Sequence, residues 1–172
     1  PWDRMPSRTD DTKTKAFLRR NNHFGLDPEN GHCVRQGTMP VIGLDGKLML
    51  QAKGTLATSP DGHGGILPAL RQSGALDDMS ARGVTLISYF QVDNPMARCI
   101  DPLFIGLHDL NQAEMSAKAL PKRDPMEKLG NFCIVDGKTS VIEYSDMPDE
   151  LAVSTNDKGL LRFSAGSIAI HI

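Results

Sequence analysis

The sequence predicts a mixed α/β fold, on three observations. Helix-like and strand-like segments alternate through the first hundred or so residues and strand-like segments cluster afterwards. A glycine-rich run, Ser59-Pro60-Asp61-Gly62-His63-Gly64-Gly65, stands directly before a helix-periodic stretch. An almost continuously apolar run, Val84-Thr85-Leu86-Ile87-Ser88-Tyr89-Phe90, predicts a strand buried on both faces. It leads through Gln91-Val92 to the carboxylate of Asp93.

The elements follow in order. Lys13 to Arg20 reads as a helix ending at Asn21-Asn22, with its charges on a solvated face. Cys33 to Met39 and Lys47 to Gln51 read as strands, with Leu44-Asp45-Gly46-Lys47 turning between them. Ile66, Leu67, Leu70, Leu76 and Met79 form a helical stripe that Gly74 weakens and Gly83 ends. Asp101 caps a short helix through Leu107, with Pro102 at its first position. Glu114 to Leu120 and Asn131 to Val135 are expected strands. Asp136-Gly137 then makes a hairpin turn into a strand over Ser140 to Tyr144. Met147 to Ala152 is an expected helix, and Phe163 to Ile172 a glycine turn followed by a strand. There is no internal repeat or linker, so 1–172 is read as one domain.

Composition narrows the function. A chain of 172 residues can bury a real core, and a formal net charge of -2 gives no electrostatic case for a nucleic-acid or membrane surface. No apolar run approaches the roughly 20 residues that span a bilayer. The three cysteines, Cys33, Cys99 and Cys133, lie far apart without a CxxC pair, which fits reduced thiols and a cytoplasmic location. Five histidines without helical metal-ligand spacing argue against zinc. The first residue is not Met, and the last four, Ala169-Ile170-His171-Ile172, are mostly apolar; the expectation is a piece of a longer protein.

Five places could carry chemistry. Glycines at 62, 64 and 65 would let backbone amides approach an anion at a helix start, with His63 beside them. Asp93, at the end of the apolar run, could ligate a hard cation that bridges phosphates. Lys122 offers a compact positive charge for a phosphate. Glu143 and Tyr144, in Val141-Ile142-Glu143-Tyr144-Ser145-Asp146, would need polar partners inside an apolar strand, and sugar hydroxyls would serve. The amide of Gln36 could read a pyrimidine edge. Each also has a plain reading as a turn, a cap or a solvated side chain. Together they suit a nucleotide or sugar phosphate held with a divalent metal. No Ser/His/Asp, Cys/His or paired-carboxylate arrangement emerges.

Taken in order, these segments resemble the UDP-sugar pyrophosphorylases, of the eukaryotic UDP-N-acetylhexosamine and UDP-glucose type. The matching residues are Pro1-Trp2 with Met5, Phe24-Gly25-Leu26, Gln36-Gly37-Thr38-Met39-Pro40, Asp45-Gly46-Lys47 and Ser59 to Gly65. They continue through Arg82-Gly83-Val84, Val92-Asp93-Asn94, Asp101-Pro102, Lys122 to Gly130, Asp136-Gly137-Lys138, Glu143 to Asp146 and Ser164-Ala165-Gly166-Ser167. The resemblance implies a GT-A-like, Rossmann-like nucleotidyltransferase core, of which 1–172 would be the central part. It implies an enzyme that joins UTP and a sugar 1-phosphate into a UDP-sugar with Mg²⁺ and releases pyrophosphate. By the same likeness Gln36 and Gly62 would contact the uracil, with His63 beside the base or the sugar phosphate. Asp93 would serve the metal and phosphates as a catalytic residue, together with Lys122. Gly130, Glu143 and Tyr144 would face the sugar, joined by Ser167. Ser167 stands where the family's Ala-Gly-Asn motif has Asn, and His63 stands where the acetylhexosamine branch has Asn and the UDP-glucose branch His. The N-terminal glycine-rich loop of the family and a C-terminal phosphate-binding lysine have no counterpart in the 172 residues, so the chain alone is expected to be inactive. The competing expectation is a module that binds a uridine nucleotide or nucleotide sugar without turnover.

Overall fold

The computed structural model describes residues 2–7 and 10–172; Pro1, from the first matching motif, lies outside them. The chain divides into two compact units, Pro1–Thr85 and Leu86–Ile172. Among the described residues no helix is long and apolar enough to cross a membrane.

The first unit opens with β1 (Trp2–Arg4) and α1 (Asp11–Arg20). Asp11 in the first turn of α1 and Arg19 and Arg20 in the last complement the helix dipole. The expected solvated face is present, since Lys13, Arg19 and Arg20 are exposed. β2 (Gly31–Cys33) pairs in parallel with β1, Trp2 opposite Gly31. The strand expected over Cys33 to Met39 is instead broken. Val34 and Gln36 still donate to the Arg4 and Pro6 carbonyls, after which the chain changes partner. β3 (Thr38–Pro40) then pairs antiparallel with β6 (Thr58–Pro60). The turn after Gly43 forms as expected, with the Gly43 amide on the Lys47 carbonyl at 2.8 Å. The strand after it is displaced: β4 (Leu50–Ala52) pairs with β5 (Thr55–Leu56), while Leu48 makes a single bridge to Ile42.

A 3₁₀ turn over His63–Gly65 leads into α2 (Ile66–Gln72), and α3 (Ala75–Ala81) follows. The helical stripe is thus two helices, divided where Gly74 takes φ 76°, a left-handed conformation costly for other residues. Ala69, Leu70, Ala75 and Met79 build the core of this unit around Val34, whereas Leu67 faces solvent.

The second unit holds α4 (Pro102–Leu110) and an antiparallel sheet. Pro102 begins α4 as predicted, its missing N–H being one the first turn leaves unpaired anyway. The strands are β7 (Ala117–Pro121), β8 (Gly130–Val135), β9 (Lys138–Ile142) and β10 (Ala165–His171), in the order β7-β10-β8-β9. The two-residue turn Asp136-Gly137, with φ of 51° and 78°, joins β8 to β9 in the primed geometry that matches strand twist. α5 (Asp149–Ala152) starts later than expected because Pro148 precedes it and Met147 is buried.

Two expectations are corrected here. Val84 to Phe90 is extended chain, not a strand buried on both faces. Only Tyr89 pairs, with His171, and Leu86 and Ile87 are 41% and 42% exposed. Among the described residues no other strand pairs with this run, and only parts of it are covered: Val84 packs against the core of the first unit and Tyr89 stacks on His171. Glu143 and Tyr144 are not inside a strand either. The β8–β9 ladder ends at the Asn131–Ile142 pair, and the Glu143 carbonyl then accepts the amides of Asp146 and Met147 in a turn.

Candidate functional site

In the first unit, Gln36, Gly62 and His63 meet at the glycine-rich turn. The Gln36 Nε2 donates to the Gly62 carbonyl at 3.1 Å. Because that partner is an acceptor, the NH₂ group must point at it, which leaves the Gln36 carbonyl oxygen free to face elsewhere. Gly62 has φ 73° and ψ -165°, a region that only glycine occupies readily. This is the local reason for glycine there. His63 is exposed and opens the 3₁₀ turn.

The first unit also holds a polar cluster that sequence reasoning missed. Buried Asp11 accepts the Cys33 thiol at 2.9 Å, Lys15 Nζ at 2.9 Å and Arg35 Nε at 3.1 Å. The Cys33 hydrogen bond, then Lys15 and Arg35, hold its carboxyl down at about 2. Burial and the Asp11 carboxylate push the Cys33 thiol up. The cluster ties α1 to β2 and its following loop.

In the second unit, strand register sets the geometry. Ser167 on β10 pairs with Gly130 on β8, and Glu143 follows Ile142, the partner of Asn131. Directly opposed residues share a face, so Ser167, Gly130 and Glu143 form a row across one face at one end of the sheet. Close approach confirms the row: a Cβ on Gly130 would lie 3.3 Å from Glu143 Oε1 and 2.6 Å from Val141 Cγ1. Any larger residue at 130 would first displace Val141 and would crowd the Glu143 carboxylate. Tyr144 is the next residue, 39% exposed in the turn.

Lys122 has a different setting. It is only 8% exposed, and its Nζ donates to Asn131 Oδ1 at 2.8 Å and to the Pro125 carbonyl at 3.0 Å. Its own amide donates to the Ser164 carbonyl, one step beyond the Pro121–Ala165 pair. Leu120 pairs with Gly166, which pairs with Asn131, so by alternation Lys122 and Asn131 share the face opposite Ser167, Gly130 and Glu143. Asn131 was not anticipated. Its signal was a polar residue in the apolar run Asn131-Phe132-Cys133-Ile134-Val135.

Asp93 sits in an exposed turn near Tyr89. Burial first, and then the Asp93 charge, raise the Tyr89 phenol above its ordinary range. Tyr89 exchanges both backbone hydrogen bonds with His171, and the two rings stack at 5.9 Å. No group of three or more His, Cys, Asp or Glu among the described residues is placed to hold a metal. Mg²⁺ takes only one or two carboxylates when phosphates and water complete its octahedron, and Asp93 is an exposed carboxylate. A cleft of about 510 Å³ in this unit lies elsewhere, between α4 and the start of β7, lined by Phe104, Leu107, His108 and Ser116 among others. At its edge Lys118 pairs with Asp101 and draws that carboxyl below its ordinary value. None of the expected site residues lines it.

Known proteins share this arrangement of segments. A human protein named UDP-N-acetylhexosamine pyrophosphorylase-like protein 1 is 39% identical over 171 residues, covering 99% of this chain and 34% of its own length. The UDP-N-acetylglucosamine pyrophosphorylase of Saccharomyces cerevisiae is 36% identical over 172 residues, covering 99% of this chain and 36% of its own. The solved UDP-N-acetylglucosamine pyrophosphorylase of Trypanosoma brucei, crystallised with an inhibitor, superposes with a TM-score of 0.86 at 28% identity, covering 98% of this chain and 34% of that one. The chain therefore spans about a third of the length of these relatives. The family model for UTP–glucose-1-phosphate uridylyltransferase matches residues 1–172 without a gap at either end. With that full-length match, and with relatives carrying the pyrophosphorylase name on either side of the animal–fungal divide, the chain belongs to the UTP–glucose-1-phosphate uridylyltransferase family.

Proposed function

We propose that residues 1–172 are the central part of a GT-A-like nucleotidyltransferase domain that forms a UDP-sugar and pyrophosphate from UTP and a sugar 1-phosphate. The observation that carries this reading is the row of Ser167, Gly130 and Glu143 across one face of the sheet. Three residues distant in sequence, each assigned to the sugar by family likeness, share one small surface. Glu143 supplies acceptors for sugar hydroxyls, Gly130 leaves room beside it, and Ser167 adds a donor. Tyr144 completes this group from the adjoining turn.

The Gln36 amide and Gly62 take the uracil, and the exposed His63 lies toward the phosphate or the base. Asp93 would hold the divalent metal. When bound, Mg²⁺ offsets charge on the phosphates and orients them. The chemistry asks little more of the protein. A phosphate oxygen of the sugar 1-phosphate attacks the UTP α-phosphorus, the bond to the β-phosphate breaks, and pyrophosphate leaves in line. Positioning and charge stabilisation supply the rate in such a displacement.

The test is pyrophosphate release from UTP with N-acetylglucosamine 1-phosphate or glucose 1-phosphate, in wild type and Asp93→Ala. Turnover that falls by about a hundredfold or more in the variant, as for loss of a charge-stabilising group, supports the reading. Binding of UTP without turnover in the intact protein would instead make it a uridine-nucleotide binding module.

A further inference from the structure

The pair beneath the sugar row suggests how that row is held. Asn131 is 1% exposed, and both ends of its amide are used inside the protein. Oδ1 accepts Lys122 Nζ at 2.8 Å, and Nδ2 donates to the Ile142 carbonyl at 3.1 Å. Its backbone pairs with Ile142 on one side and Gly166 on the other. Each of these contacts lies one residue from a member of the row: Gly130 precedes Asn131, Glu143 follows Ile142, and Ser167 follows Gly166. Lys122 makes no ion pair with any described residue, so its buried ammonium depends on the two neutral acceptors, Asn131 Oδ1 and the Pro125 carbonyl. Burying a lysine amine is costly unless it is hydrogen-bonded, so these two acceptors hold the side chain in place.

We infer that Asn131 is a positioning residue, which with Lys122 fixes the Ser167–Gly130–Glu143 row from the opposite face of the sheet. This rests on the proposed UDP-sugar chemistry for the ligand, but not for the mechanical part. Asn131 locks the end of β9, so that Glu143 leaves the ladder at one fixed angle. Lys122 ties the end of β7 across β10 to β8, the two strands that carry Ser167 and Gly130. The specificity is for the sugar half of the ligand. The clamp holds only residues assigned to the sugar, so the nucleotide half is expected to be indifferent to it.

The experiment compares Asn131→Val, Asn131→Asp, Lys122→Met and the Asn131→Val/Lys122→Met double variant. Calorimetric titration uses UDP and UDP-N-acetylglucosamine separately. Loss of a buried hydrogen-bond pair should weaken UDP-N-acetylglucosamine by about tenfold in Asn131→Val, with UDP affinity unchanged within about twofold. Asn131→Asp retains an acceptor for Lys122 and should recover part of that loss. The double variant should lose no more than the single ones, because both act through one contact. Equal weakening of UDP and UDP-sugar, or additive losses in the double variant, would overturn the inference. A second arm needs no ligand: amide hydrogen exchange at Gly130 and Glu143 should speed up in Asn131→Val, and unchanged protection there would also overturn it. If wild type bound no uridine ligand while exchange responded as expected, the clamp would stand and the ligand assignment would fall.

Discussion

The Gln36 side chain reaches across 26 residues of sequence to donate to the Gly62 carbonyl at 3.1 Å. That one bond joins the loop after β2 to the glycine-rich turn before α2. It places an amide beside a backbone position with φ 73° and ψ -165°. The two residues are therefore coupled: Gly62 needs its unusual conformation to present the carbonyl, and Gln36 needs the carbonyl to orient its amide.

Gly62→Ala should cost about 1–3 kcal/mol of stability, because ψ near 180° at positive φ is a region that alanine avoids. No neighbouring atom lies within 4 Å of a Cβ built there, so the cost is backbone strain alone. Gln36→Leu leaves the backbone intact and should instead weaken UTP binding by about tenfold, the worth of an oriented hydrogen bond. Thermal unfolding and calorimetry separate the two effects. A Gln36→Leu protein that binds UTP normally would remove Gln36 from the uracil assignment.

Asp11 predicts an acid limb of stability in the first unit. Its carboxyl is held at about 2 in the folded chain, below the range it has when unfolded. The unfolded state thus binds the extra proton first. The contribution is fully present above about pH 5 and is lost as pH falls from about 4 through 2. Asp11→Asn should lower the melting temperature at pH 7 and flatten its dependence on pH across that window. A variant whose melting curve kept the wild-type slope below pH 4 would locate the acid sensitivity elsewhere.

The three thiols should react in a fixed order. Cys99 is exposed, Cys33 is half-buried with a raised pKa, and Cys133 is buried with its pKa raised by desolvation. Thiolate availability and access both set the rate. Limiting maleimide at pH 7 should label Cys99 ahead of the other two by about tenfold or more, read by peptide mass spectrometry. Equal labelling of Cys33 would mean that its contact with Asp11 opens readily.

Several features were legible because they depend on local chemistry. Asp136-Gly137 specifies its turn through two positive φ values, Pro102 marks a helix start, and Gly74 breaks a helix. The candidate residues came from motif order, and pairing then put Gly130, Ser167 and Glu143 in one row. What could not be read was partner choice. Val84 to Phe90 has strand composition, yet a strand needs a neighbour, and only Tyr89 finds one. The burial of Lys122 was equally invisible, since a lysine between Pro121 and Arg123 looks solvated until register places Asn131 beneath it.

Ser167 gives the most direct handle on sugar choice. It opposes Gly130 on the same face as Glu143, where its hydroxyl can donate one hydrogen bond. An asparagine there would reach further and offer both a donor and an acceptor, the complement of an acetamido group. Ser167→Asn should therefore raise the preference for N-acetylglucosamine 1-phosphate over glucose 1-phosphate. A hydrogen-bonded polar contact of this kind is worth about 0.5–1.5 kcal/mol, or roughly two- to tenfold in the ratio of kcat/KM values. Ser167 is half-buried as the third residue of β10, so thermal unfolding of the variant is measured alongside its kinetics. Unchanged discrimination with unchanged stability would show that the side chain at 167 points away from the bound sugar. The row of Gly130 and Glu143 would then carry the contact alone.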